Sequence, residues 1–380
     1  MLFAGACGAR TGLSEAERAE ASDGGARDAG IVSTGCGRLR QVGDAQRLGS
    51  DDSLTRPQVI SRGGAFDVTY GERGPTDWSY VVRRARGTSD GLALGASAEI
   101  GPEARGVGAL AAGGDRLGFC YGARDLGGPT RFARTDALDY GAIARSTVGD
   151  EAGDHCYGLA FAGGRWLAAW NHRAPSPFQH AVAELDDDGA LVGGFVVHEG
   201  SILDVEPRGD GFVYAVRDPF DSARVVVLTQ IAPDSRGVAL DNPSRFAIDE
   251  VDTVASPFEV GAIEVGFRDV DGEATWLRVG AGGAVSPPTD LASAAAIATG
   301  PQLAVVADRL AIVETACDGA VEGPGRLTLR TASRDALGPP LRVDRPACPT
   351  SPRVAVAGRD VAVVWVEDDR PFGALFRCAE

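Results

Sequence analysis

Phe66-Asp67-Val68-Thr69-Tyr70, Leu117-Gly118-Phe119-Cys120-Tyr121, Trp166-Leu167-Ala168-Ala169-Trp170 and Phe212-Val213-Tyr214-Ala215-Val216 are copies of one pattern, a short apolar run that usually ends near an aromatic. Three more copies follow at residues 263–267, 310–314 and 361–365, and about 49 residues separate one copy from the next. A fixed period of this length marks a repeat architecture, in which no single unit can bury its apolar face alone.

The neighbours of each copy repeat as well. A strand-like run precedes it, as in Arg353–Ala357, and the two are joined by a turn such as Gly63-Gly64, Gly113-Gly114 or Gly163-Gly164. Glycine supplies the positive φ that tight hairpin turns need. A longer polar segment leads to a third strand, such as Trp78–Arg83, and a Gly/Asp turn leads to a weaker fourth, such as Phe195–His198 after Asp187-Asp188-Gly189. Four antiparallel strands with the most apolar first form a β-propeller blade. No segment holds an apolar stripe of helical period over more than three turns, so helical alternatives fail. The reading is an all-β, seven-bladed β-propeller. Its seventh repeat stops after the third strand at Phe372–Cys378, and the strand-like piece Arg38–Leu48 upstream of the first repeat supplies the missing outer strand. That closes the last blade and removes an open edge.

Over residues 36–380 the chain resembles seven-bladed propellers, at the level of architecture. Its first residues, Met1-Leu2-Phe3-Ala4-Gly5-Ala6-Cys7, resemble the end of a bacterial envelope lipoprotein signal. The resemblance implies lipidation at Cys7, residues 8–35 as a disordered tether, and a single propeller domain beyond. Kelch repeats have a similar length but place the glycine doublet after the second strand. Asp271-Gly272-Glu273-Ala274-Thr275-Trp276 approaches a sialidase Asp-box, with its glycine one place early and before the third strand. No sialidase residues are carried over.

The chain has 380 residues, 44% apolar and 24% charged, the composition of a folded soluble domain. Its formal charge is −16 and all 37 basic residues are arginine. Such a surface repels phosphate backbones, so a nucleic-acid partner is excluded from the expectation. With Cys7 set aside, six cysteines remain without zinc-finger spacing, which predicts three disulfides in an oxidising compartment.

Blade geometry selects their pairing. The two–three loops and the connections between blades share one face, called the top, and the short one–two and three–four turns share the bottom. Cys120 and Cys156 meet at the top between blades two and three, and Cys317 and Cys348 at the top between blades six and seven. Cys36 and Cys378 meet at the bottom beside the closing strand. The expected bonds are Cys36–Cys378, Cys120–Cys156 and Cys317–Cys348.

The longer top loops are where a ligand is expected. All four histidines, His155, His172, His180 and His198, fall in the third blade near its top, beside Asp154 and Glu199. Imidazoles and carboxylates together suit zinc or general-base chemistry, although none of the spacings is a known ligand motif. The acidic runs Asp186–Asp188 and Glu367–Asp369 read as a hairpin turn and a solvated loop; calcium in an acidic channel is the sharper alternative. Aromatics at one repeat position, Tyr70, Tyr121, Trp170, Phe267 and Trp365, read as wedges between blades.

No nucleophile elbow, zincin, P-loop or dinucleotide motif is present. The expectation is a non-enzymatic cell-envelope or secreted binding protein, monomeric, exported to the bacterial outer membrane or periplasm. It would present its top face to a protein or glycan ligand and touch the membrane only through the lipid. The alternative is a propeller hydrolase, glycosidase-like or metal-dependent, using the histidine-rich blade.

Overall fold

A computed structural model describes residues 35–49, 56–73, 78–102, 108–122, 130–149, 156–172, 179–208, 210–217, 225–231, 234–240, 251–268, 273–291, 296–317 and 323–379. All secondary structure among them is β, and among them no helix is long and apolar enough to cross a membrane.

After β1 (Arg38–Arg47) the strands group in fours. The first sheet holds β2 (Gln58–Arg62), β3 (Ala65–Arg73), β4 (Trp78–Gly87) and β5 (Leu92–Pro102). The second holds β6 (Ala109–Gly113), β7 (Arg116–Gly122), β8 (Thr130–Thr135) and β9 (Ala144–Thr147). The third holds β10 (Cys156–Ala162), β11 (Arg165–His172), β12 (Gln179–Leu185) and β13 (Leu191–Glu199). The fourth holds β14 (Ser201–Arg208), β15 (Gly211–Arg217), β16 (Val225–Ile231) and β17 (Asp234–Leu240). The fifth holds β18 (Val251–Ala255), β19 (Ile263–Arg268), β20 (Ala274–Val279) and β21 (Thr289–Asp290). The sixth holds β22 (Ala296–Val306), β23 (Arg309–Cys317), β24 (Gly325–Ala332) and β25 (Leu341–Arg345). The last holds β26 (Thr350–Ala357), β27 (Asp360–Glu367) and β28 (Arg370–Ala379), with β1 as its fourth strand.

First strands contact one another in cyclic order, from β2 through β6, β10, β14, β18, β22 and β26 back to β2. The sheets therefore surround a central axis, as in a β-propeller. Buried apolar side chains form clusters that each straddle a seam between neighbouring sheets, and none forms a single central core. Second strands lie within these seams, which explains their loss of polar–apolar alternation. The recurring aromatics Tyr70, Tyr121, Trp170, Phe267 and Trp365 are all buried at 1% exposure or less. They act as wedges, and small residues opposite make room for their neighbours. A Cβ on Gly118 would come within 2.5 Å of the Trp166 ring across the seam between the second and third sheets.

The one–two turns are tight. Gly63 and Gly64 have φ of 54° and 68°, and Gly163 and Gly164 have 57° and 74°. In the second sheet the turn falls one residue later than the glycine doublet suggested. Gly113 belongs to β6, and Gly114, at φ 62°, shares the turn with Asp115.

β1 pairs antiparallel with β28, from Arg38 opposite Ala379 to Arg47 opposite Phe372. Leu39 and Val42 bury their side chains in the seams on either side, so the strand contributes packing as well as hydrogen bonds.

Candidate functional site

In the histidine-rich third sheet, Asp154 and His155 lie outside the described residues. The backbone places His172 opposite Gln179, His180 opposite His198, and Gln179 opposite Glu199. These positions share one end of the sheet, as the repeat implied. His180, however, is buried rather than presented at the surface: its Nδ1 lies 2.9 Å from the Gly200 carbonyl oxygen, and its ring meets Tyr214 edge-on. Among the described residues no group of three or more histidine, cysteine or acidic side chains is placed to hold a metal ion.

The acidic runs serve turns. Asp186 Oδ1 accepts the backbone N–H groups of Asp188 and Ala190 at 3.0 and 2.8 Å. Asp368 and Asp369 form the β27–β28 turn at φ 50° and 57°. Glu367 corrects the solvated-loop reading of its run. It is buried and accepts from Trp365 Nε1 at 3.0 Å and Arg345 Nε at 2.8 Å.

A polar assembly that the repeat analysis did not single out lies on the first strands. Asp204 on β14 accepts from the Thr253 N–H at 2.7 Å and the Thr253 hydroxyl at 2.6 Å. Asp252 on β18 accepts from the Leu303 N–H at 2.5 Å through Oδ2. On β26, Arg353 donates through Nη1 to Gln302 Oε1 at 2.7 Å and through Nε to Gln58 Oε1 at 3.2 Å. Side chains thus tie β14, β18, β22, β26 and β2 together around the axis. Pairing slips by a bulge beside Gly158, Asp204, Gln302 and Arg353 in their respective first strands. Bulges re-aim side chains, and these recur at one blade position. Gly158 occupies the corresponding place on β10, and the bulge residue before it, Tyr157, is 38% exposed. The signal was available, because Asp204, Asp252, Gln302 and Arg353 follow one another at about 50-residue intervals.

Two residues beyond Asp204, on the same face of β14, Glu206 has no hydrogen-bond or ion-pair partner among the described residues. Glu206, Asp204 and Asp252 are each half-buried, facing little water and much protein. Burial raises all three carboxyls, because the charged form is costly away from bulk water. At Asp204 burial works against the Thr253 bonds and the charge of Arg353, which favour its anion. Asp252 is pushed up to about 8 by burial and then by the charge of Asp204. Glu206 is raised well above the carboxylate range by burial and by both aspartates.

Several other buried carboxylates lie directly against arginine side chains. Asp67 takes Arg62 Nε at 2.8 Å and Arg84 Nη1 at 3.1 Å, and accepts the Tyr140 hydroxyl. Glu264 takes Arg278 Nε at 2.6 Å and Trp276 Nε1 at 2.7 Å. These carboxylates hold strands together. Glu206 stands apart from them.

Disulfides join Cys36 to Cys378, Cys120 to Cys156 and Cys317 to Cys348, with Cα separations of 5.1, 5.7 and 5.1 Å. All three match the pairing read from blade geometry, and they mark a chain that matures in an oxidising environment.

Fold and bonds together define a disulfide-stapled, all-β propeller. Among solved structures, the BP39L lectin from Burkholderia pseudomallei matches with a TM-score of 0.68 at 11% identity, over 86% of this chain and 97% of its own. A chain of the mitotic checkpoint complex matches with a TM-score of 0.56 at 14% identity, over 93% of this chain and 98% of its own. A triple arginine-to-alanine mutant of AofleA from Arthrobotrys oligospora matches at 0.50 and 11%, over 83% and 94%. At these identities the likeness shows the fold alone. No family model matches the chain, and no curated protein does.

Proposed function

We propose that this chain is a seven-bladed propeller of the bacterial cell envelope, held to the membrane by lipid on Cys7 through a tether at residues 8–35, and that it binds a protein or glycan ligand without catalysis. Its binding surface is the top face, where the two–three loops and the connections between blades emerge.

The observation that carries this reading is the position of two disulfides. Cys120 ends the β-ladder just before residues 123–129, and Cys156 begins the next sheet just after residues 150–155. Cys317 likewise precedes residues 318–322, and Cys348 lies immediately before β26. Both bonds therefore brace the rim of the scaffold on the side that we propose binds. The lectin fold of BP39L is consistent with a glycan ligand. The charge of −16 argues against a nucleic acid.

The test is a glycan array and an envelope-protein pull-down with the full chain, beside a variant whose residues 123–129 and 173–178 are replaced by glycine and serine. Binding that disappears in the variant at unchanged melting temperature supports the reading. Turnover of fluorogenic glycosides, abolished by His172→Ala or His198→Ala, would replace it with the hydrolase alternative. Cys7→Ser should release the protein from membranes, and unchanged fractionation would discard the anchor.

A further inference from the structure

We propose that Glu314 makes the seam between the fifth and sixth sheets pH-sensitive: with its proton the side chain lets the seam close, and as an anion it draws water in and loosens it. The proposal is independent of what the top face binds.

Glu314 ends the sixth copy of the repeated run, at the position where Tyr70, Tyr121, Trp170, Phe267 and Trp365 stand as buried wedges. Alternate residues of a strand share a face, and Leu310 and Ile312 of β23 pack with Ala274, Trp276 and Leu291 from the fifth repeat. Glu314 therefore points into the same seam, near the end of β23 that leads to Cys317. It is 2% exposed, and neither of its oxygens accepts a hydrogen bond among the described residues. Arg330 Nε lies 3.3 Å from Oε1 without donating to it. Glu264 and Glu367 are also buried, but each accepts from both a tryptophan and an arginine. At Glu314 a carboxyl replaces an aromatic wedge without gaining the donors that hold a buried anion.

The closed seam favours the neutral acid, because a buried charge without hydrogen bonds is costly. Charged groups on the surrounding strands are Arg326 and Arg330 on β24, Glu264 and Arg268 on β19, Arg278 on β20 and Asp252 on β18, while β22 carries none. Arg330 is the one whose charge opposes burial at Glu314, and the carboxyl still moves from 4.5 to about 7. Opening the seam to water restores the ordinary value and releases the proton to solvent. Closure is therefore favoured at low pH and weakens as pH rises towards 7. Above that it no longer depends on pH, because the closed form has ionised as well.

Hydrogen–deuterium exchange of the full chain between about pH 5 and pH 8, corrected for intrinsic rates, tests this at residues 274–279 and 310–317. Expected is local opening that grows by up to about tenfold per pH unit and levels off near pH 7. Residues 361–367, in the seam between the sixth and last sheets, should respond less. Glu314→Gln and Glu314→Leu, neither of which titrates, should both flatten the profile. Asp252→Asn, which alters the acid that reaches across to the Leu303 N–H, should leave it in place. Near-UV circular dichroism checks that each variant keeps the native fold. A flat profile in the native chain overturns the proposal, as does a profile that persists in either folded Glu314 variant. A profile abolished by Asp252→Asn alone would overturn it by assigning the proton to Asp252.

Discussion

Cys36 and Cys378 are separated by 342 residues in sequence and by 5.1 Å at their Cα atoms, joined by a disulfide beside the first pairs of the β1–β28 ladder. The bond therefore closes a loop of 342 residues that contains every sheet of the described fold. On the chain-entropy model such a bond stabilises by about 6 kcal/mol as an upper figure, against about 4 kcal/mol for loops the size of the other two. Replacing both cysteines by serine should therefore lower the melting temperature more than replacing Cys120 and Cys156 or Cys317 and Cys348. Equal effects of the three double variants, measured by thermal denaturation, would remove the special role of the closing bond.

β1 has a second task, because it covers the edge of β28. A chain lacking residues 36–48 exposes that edge along with Leu375 and Phe376, both buried in the complete fold. An uncovered edge is a template for intermolecular pairing. Light scattering should show aggregates of the truncated chain, whereas the Cys36/Cys378 double serine variant should keep the size of the native protein. A truncated chain with no added association would mean that the edge is protected by something other than β1.

The second strands and the disulfides were legible in the sequence for one physical reason. A strand buried on both faces shows as an apolar run, and the position of a cysteine within the repeat places it at a seam or an end. The acids on the first strands were harder to see. Asp204, Asp252, Gln302 and Arg353 differ in chemical type, so their common spacing does not look like a motif, and the bulges that aim them leave no simple pattern. The burial of His180 was hidden for a related reason. A polar residue at a strand end looks exposed, yet the Gly200 carbonyl and the Tyr214 ring give it a buried environment.

Glu264 should be among the most costly side chains to remove. It has no exposed surface and holds Arg278, Trp276 and Ser256 together across β18, β19 and β20. Glu264→Ala would leave a largely buried guanidinium and an indole N–H without their acceptor. Breaking a buried pair in this way costs about 3–5 kcal/mol. Denaturant unfolding of the variant should show a loss of that order, and a loss below about 1 kcal/mol would mean that water replaces the carboxylate without difficulty.

Acid should stabilise this protein, against the usual trend for carboxylate-rich chains. Asp252 moves from 3.8 to about 8 on folding, and Glu314, buried beside Arg330, from 4.5 to about 7. Asp204 and Glu206 shift in the same direction. Between these limits the folded chain holds protons that the unfolded chain has released. Stability therefore falls as pH rises through that window and levels off once the folded-state groups have ionised. The melting temperature should be higher at about pH 5.5 than at about pH 8.5, by a few degrees for a domain of this size. Asp252→Asn removes one contributor while keeping an oxygen that can accept the Leu303 N–H, so it should raise the melting temperature at the alkaline end and reduce the difference. A melting temperature that climbs from pH 5.5 to 8.5 in the native chain would show that these carboxyls are ionised without penalty, and that water reaches them freely.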